Sequence, residues 1–397
     1  MINFNRRKLL KSAGLGLAGM VLPRLSSAAG ADDRILVVVE LSGGNDGLNT
    51  IVPFGDDAYY RHRPDIGIRS GDLLDLDDHY GFNPGALGLQ RLWQRGDLAV
   101  VHGCGYPQPS FSHFTSMAYW HTGAPHSGNQ FGWMGRLADA ILPERTPNAL
   151  INIGASQSLA VKSQNHTPVV FDDPMRFQRK ASAHTRQTMD QMSPQPSSNR
   201  SRDFLNDVAL SARESSALVR QAWSDYSTDI DYGIQPMDLP KVAACISADL
   251  PTSLYYVAFR NNAFDTHVAQ PALHRRLLSY ACDGIHGFLT DMDRVGQADR
   301  IAVVVFSEFG RRVPENANLG TDHGSANVMF VAGKSVTGGH YGERPSLEKL
   351  DAGDNLIYTT DFRRVYATAI DGWLRTGKAS EVLGGSYPPL DIFLTDQ

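Results

Sequence analysis

The sequence predicts an α/β protein: a doubly wound, mainly parallel sheet with helices on both faces. Three observations carry this reading. Several short β-branched runs are apolar throughout rather than alternating, which marks strands covered on both faces. Helical patterns lie between them. The residues with chemical potential follow those strands directly, where loops leave the carboxyl ends of such a sheet.

The 397-residue chain opens MINFNRRKLLKSAGLGLAGMVLPRLSSAAGADD. Arg6 and Arg7 are followed by Lys8-Leu9-Leu10-Lys11, a weakly apolar stretch from Ala13 to Leu22, and small residues. Ala29-Gly30-Ala31 fits a small-x-small cleavage site. Residues 1–31 therefore read as a twin-arginine signal peptide, with periplasmic or exported localisation and the twin-arginine translocase as partner during export. The apolar stretch is about half of the ~20 residues a membrane span needs. No later apolar run is long enough to span a bilayer. Residues 32–397 form a single α/β domain in this reading.

Ile35 to Leu41 is the first strand run and ends at Ser42-Gly43-Gly44-Asn45-Asp46-Gly47, a Gly-rich turn. Leu98 to His102 is the second, Leu254 to Phe259 the third, Ile301 to Phe306 the clearest, and Val328 to Ala332 the last. Helical patterns cover Leu87 to Trp93, Phe114 to Trp120, Arg202 to Tyr226 and His274 to Val295. Residues at about 160–250 break the rhythm. Met192 to Ser201 is polar and rich in Pro and Ser, and the helices around it read as an insertion or cap.

The full chain has a net charge of −5, and residues 1–31 hold five positive charges and no negative one. The rest is near −10, which argues against nucleic acid and against an anionic membrane surface as partners. Cys104, Cys245 and Cys282 match no zinc spacing and are expected to be buried thiols.

The candidate site residues come from five segments. Asp46 follows the first strand, although Asn-Asp-Gly is also common turn chemistry. Asp265 and His267, in FDTH, can share one metal if the backbone between them is extended. Glu308 ends the clearest strand, with Arg311 and Arg312 as competing ion-pair partners. Asp322 and His323 precede the last strand. Neutral imidazole suits Zn²⁺, and Asp322 is either a ligand or a partner that orients a His. Ser112 is placed to cap the helix that begins near Phe114, where a nucleophile or an anion also benefits from the helix dipole. Ser110 competes with it, and His113 is a base or a ligand.

The twin-arginine start, LSGGNDGLNTIVP, SHFTSMAYW, FDTHVAQ, FSEFGRR and TDHGSANVMFVAG resemble the DUF1501 family (domain of unknown function 1501) across nearly the whole chain. That family belongs to the alkaline phosphatase–sulfatase superfamily. The resemblance implies an alkaline-phosphatase-like fold with one or two divalent metals, Zn foremost, with Mg, Mn or Ca as alternatives. It implies metal ligation by Asp46, Asp265, His267, Glu308 and His323, with Asp322 able to supply a missing ligand and Ser112 nearest the nucleophile position. His340 is a further candidate, in a Gly-rich segment that also reads as a surface turn. Glu308-Phe309 stands where an Asp-His pair usually follows its strand, and no Cys-x-Pro-x-Arg sulfatase signature is present. The implied function is metal-dependent hydrolysis of small phosphate or sulfate esters. The alternative is a non-catalytic relative serving as a periplasmic or surface binding or assembly protein.

Overall fold

The computed structural model describes residues 34–143, 146–177 and 199–394. The expected signal peptide lies outside the described residues, as does most of Met192–Ser201. In chain order the strands are β1 (Ile35–Glu40), β2 (Ile51–Val52), β3 (Leu74–Asp75), β4 (Gly81–Phe82), β5 (Leu98–Gly105), β6 (Leu150–Ile153), β7 (Val169–Phe171), β8 (Leu254–Ala258), β9 (Ile301–Phe306), β10 (Asn327–Ala332), β11 (Gly339–Tyr341) and β12 (Thr360–Asp361). The α-helices are α1 (Asp57–His62), α2 (Leu87–Gln94), α3 (His113–Thr122), α4 (Trp133–Ile141), α5 (Arg200–Asp225), α6 (Leu239–Ser247), α7 (Gln270–Arg294), α8 (Arg363–Ala367) and α9 (Ala379–Leu383).

The main sheet runs β11-β5-β10-β9-β1-β8-β6-β7, with β12 beside β5. All its pairings are parallel except those of β10, which is antiparallel to both β5 and β9. The sheet is thus mixed and mainly parallel, with helices around it. Alternate side chains explain why its strands are apolar without a break. Val37, Val39, Val257, Val303 and Val305 face one core with Leu89 of α2, Val242 of α6 and Leu278 of α7. Leu36, Val38, Leu254, Ala302 and Val304 face the other core with Trp120 of α3, Leu137 of α4 and Val365 of α8. Each fully buried Val or Leu contributes about 1.5–3 kcal/mol. All three cysteines are buried and unpaired, and burial pushes their thiols up.

The reversal of β10 follows from its connection. Parallel neighbours need a crossover, usually helical, and residues 307–326 contain no helix. The chain therefore turns back directly. Both ends of this loop stay at the carboxyl edge of the sheet, beside the loops that leave β1, β5 and β8. Helix α3 follows β5 after a short loop and starts at the same edge. No helix among the described residues is long and apolar enough to cross a membrane.

Candidate metal centre

Glu308, two residues beyond β9, is fully buried. Its Oε1 accepts from the Gly43 amide at 2.9 Å, and its Oε2 accepts from the Gly44 amide at 3.1 Å. Both glycines have positive φ, +118° and +74°. A Cβ on Gly44 would sit 2.2 Å from the Phe309 ring, and one on Gly43 would sit 2.5 Å from the Asp265 amide nitrogen. Two glycines are needed for this close turn, whose N–H groups form a cradle for the carboxylate. The free side of Glu308 Oε1 takes His113 Nδ1 at 2.7 Å. This bond raises the basicity of His113 against the opposing effect of burial.

Three donors then converge, and a fourth, His267, lies against two of them. His113 Nε2 lies 3.3 Å from Asp265 Oδ2. Asp265 Oδ1 is 3.0 Å from His267 Nε2 and 3.2 Å from His323 Nε2. The His267 and His323 Nε2 atoms are 2.9 Å apart. His113, Asp265 and His323 can bring one ligand atom each within 4.8 Å of the others. Arg311 is buried and bonds Asp265 Oδ1 through Nη2 at 2.8 Å. Burial alone would raise the Asp265 carboxyl; the Arg311 hydrogen bond and charge outweigh it and hold the group below its ordinary value.

The outer nitrogens of the three imidazoles are all engaged. His113 Nδ1 faces Glu308, His323 Nδ1 bonds the Phe111 carbonyl at 2.7 Å, and His267 Nδ1 lies 3.4 Å from Asp322 Oδ1. Two carboxylates and one carbonyl at Nδ1 favour the tautomer with the proton there and Nε2 turned to the cluster, the arrangement typical of metal-bound histidine. Phe309, buried beside Glu308, supports two of the rings, with centroids 4.9 Å from His113 and 4.6 Å from His323. Two Nε2 lone pairs at 2.9 Å repel unless a proton or a cation lies between them. His113 Nε2 is buried without a hydrogen-bond partner. Both facts fit a cation, and an N₃O donor set suits Zn²⁺.

The expected residues separate into groups. His113, Asp265, His267 and His323 come together. Glu308 and Asp322 stand behind the imidazoles, because their oxygens are spent on orienting His113 and His267. Asp46 is fully buried and does not join them. Its Oδ2 accepts from Arg63 Nη1 at 2.8 Å and from Gln270 Nε2 at 2.5 Å, while Oδ1 caps the Asn49 amide. Burial would raise its carboxyl, yet the Arg63 charge brings the net shift below the ordinary value. Ser112 caps α3 by position, but its hydroxyl makes no capping bond and is exposed. His340 belongs to β11 and pairs with His102 instead. Phe309 and Arg63 were invisible as site residues from the sequence. Arg311 was legible only as a partner for Glu308.

Fold and site define an α/β protein whose mainly parallel sheet carries an imidazole-rich, metal-competent cluster at its carboxyl edge. The chain belongs to the family described as protein of unknown function (DUF1501), which it matches over residues 99–364. That span includes every member of the cluster and excludes Gly43, Gly44 and Asp46. No curated protein matches the sequence. Similar solved structures include a sulfatase from Pseudoalteromonas sp., 11% identical, with a TM-score of 0.38 over 90% of this chain and 70% of that one. A phosphonate monoester hydrolase from Silicibacter pomeroyi is 10% identical, with a TM-score of 0.36 over 89% and 74%. A protein in the alkaline phosphatase superfamily from Vibrio parahaemolyticus is 11% identical, with a TM-score of 0.36 over 78% and 62%. These likenesses assign no activity to this chain.

Proposed function

We propose that this protein is an exported, metal-dependent hydrolase of small phosphate or sulfate esters, acting at His113, Asp265, His267 and His323. The observation that supports it most is the convergence of three Nε2 atoms and one carboxylate, each held from behind. A bound divalent cation, Zn²⁺ foremost, would supply Lewis acidity and lower the pKa of a coordinated water or hydroxyl. Mg²⁺, Mn²⁺ and Ca²⁺ prefer oxygen-rich sites, so three imidazoles favour zinc among them.

The residues divide the remaining work. Glu308 and the Phe111 carbonyl fix two rings, and Asp322 faces the third. Arg311 keeps Asp265 ionised. The Ser112 hydroxyl, unspent at the start of α3 and next to His113, is the proposed nucleophile. The free N–H groups of that helix start would receive an oxyanion. The net charge near −10 of residues 32–397 makes a bound cation useful for accepting an anionic ester. Export through the twin-arginine translocase rests on Arg6 and Arg7 and the segment after them.

Elemental analysis of the purified protein, compared with His323→Ala, is the first test, followed by a panel of phospho- and sulfo-esters. Stoichiometric metal lost in the variant, with turnover in the wild type, is expected. Absence of metal together with inertness on the panel would sink the proposal. One observation favours the second reading, a non-catalytic periplasmic or surface binding or assembly protein. The Arg63–Asp46 pair occupies the carboxylate that a second metal would need. Tight binding of one metal without turnover on any ester is the signature of that reading.

A further inference from the structure

A cavity of about 190 Å³ lies next to the cluster, and none of His113, Asp265, His267 or His323 lines it. Arg311 is shared between its wall and the cluster. Ile51, Val328 and Leu347 give it an apolar wall, and Asp56, His79, His102, Arg311, Asn327 and Arg344 line it from the polar side. The Asp56 carboxylate is turned in part to the Ala58 amide, which it caps, and two arginines share the polar wall with it. This is room for one substituted ring, below the ~300 Å³ of a drug-sized pocket.

The polar wall is backed by a chain of groups. His102, on β5, is 5% exposed. Its Nε2 lies 2.8 Å from Nδ1 of His340. His340 Nε2 faces Asp77 Oδ2 at 2.9 Å, an electrostatic contact off the ideal hydrogen-bond angle. The other Asp77 oxygen accepts from the amides of His79 and Tyr80, so this carboxylate is fixed in place. Tyr80 packs on both rings, with centroids 5.1 Å from His102 and 5.6 Å from His340. The Asp77 charge beside His340 Nε2 favours the tautomer with the proton on that nitrogen, and in it His340 Nδ1 accepts from His102 Nε2–H. His102 Nδ1 is then left with a lone pair, and this ring lines the cavity. Burial drives the His102 basicity down to about 3, so the ring stays neutral and offers an acceptor rather than a charge. Arg344 supplies the charge. It is half-exposed and lies over the Tyr80 ring, 4.7 Å from its centroid.

We propose that this cavity is a second ligand site, lined by none of the four cluster residues and joined to them only through Arg311, for a small apolar molecule carrying both an anionic oxygen group and a hydroxyl. The hydroxyl donates to His102 Nδ1, the anionic group meets Arg344, and the body lies against Ile51, Val328 and Leu347. An uncharged apolar ligand would leave the His102 acceptor unused and Arg344 with only its 3.7 Å contact to Asp77 Oδ2, and an anion without a donor would face the His102 lone pair.

The probe is 4-hydroxybenzoate, titrated calorimetrically into the full chain as purified and again after chelator treatment. Saturable binding is expected in both, which separates this site from carboxylate binding at a metal and lets the two proposals fail separately. Benzoate, without the hydroxyl, and methyl 4-hydroxybenzoate, without the charge, are each expected to bind about tenfold more weakly, equivalent to 1.4 kcal/mol. Arg344→Gln, at a half-exposed position, is expected to weaken 4-hydroxybenzoate by a similar factor and leave the methyl ester unchanged. His102→Gln tests the acceptor, with circular dichroism as the check on folding. No saturable binding at millimolar concentrations, equal binding of all three compounds, loss of binding with the chelator, or no effect of Arg344→Gln would each overturn the proposal.

Discussion

Glu308→Gln tests whether this carboxylate acts through His113 rather than as a ligand. The carboxylate serves two sides: the Gly43 and Gly44 amides, and His113 Nδ1. Glutamine keeps the shape but has one oxygen and one NH₂ group. Turning the oxygen toward the two fixed amides is the cheaper choice, and it points the NH₂ at His113. That imidazole must then accept at Nδ1 and carry its proton on Nε2, the atom that faces Asp265. One of four donors is lost without any ligand being removed. Losing an outer partner of a ligating His costs about 10–100-fold in metal affinity, or about 1.4–2.7 kcal/mol. Competition between the full chain and a chromophoric chelator for Zn²⁺ measures this directly. The double variant with His113→Ala decides the route, since an effect relayed through His113 disappears when His113 is gone. A folded Glu308→Gln protein binding Zn²⁺ within about twofold of wild type would refute the reasoning. So would full additivity in the cycle.

Three further outcomes are expected. Asp46→Asn leaves Arg63 buried without its counter-charge and is expected to cost about 3–5 kcal/mol of stability while leaving Zn²⁺ affinity unchanged; an unaltered Tm, or weakened metal binding, would contradict this placement of Asp46. His274 is fully buried, and desolvation pulls its basicity from 6.5 to about 4. Between those values the unfolded chain binds a proton that the folded chain refuses, so stability falls as pH drops from 6.5 toward 4, by up to about 3 kcal/mol from this group. Urea unfolding at several pH values should show a shallower slope for His274→Gln, and an identical slope would count against it. If turnover is found, Ser112→Ala should lower kcat by several orders of magnitude with metal content intact, while Ser110→Ala stays near wild type; the reverse pattern would move the nucleophile to Ser110.

The strands were legible wherever burial on both faces produced an unbroken apolar run, as in Ile301–Phe306. The strands β6, β7, β11 and β12 have two to four residues each, too few to carry a period. The strand-end motifs FDTH and TDHG were legible as places where Asp and His gather, and the structure brings Asp265, His267 and His323 together. What each carboxylate does was not legible. Glu308 and Asp46 both follow strands in chemically similar settings. Their different fates depend on Gly43 and Gly44 in one case and on Arg63 in the other, which are tertiary neighbours without a spacing signal. Phe309 reads in sequence as a lost ligand, but in space it is the surface on which His113 and His323 rest. His102, Asp77 and His340 come from three separate segments, so nothing local announces their alignment.

Arg311 explains why the cluster can exist at this edge at all. Loops leaving β1, β8 and β9 bring carbonyl groups into a buried space where each needs a donor. One guanidinium serves those of Gly43, Gly44, Phe264 and Thr321, and the Asp265 carboxylate besides. A lysine has three donors on a flexible stem and cannot reproduce this planar fork. The same group sets its mark on Asp265, where burial would raise the carboxyl and the guanidinium holds it below the ordinary value. Asp322, at the far side of His267, is held low as well, against burial, by the Asn316 and His267 contacts and the Arg312 charge. One guanidinium therefore fixes both the turn that carries the Glu308 cradle and the carboxylate that faces His267 and His323.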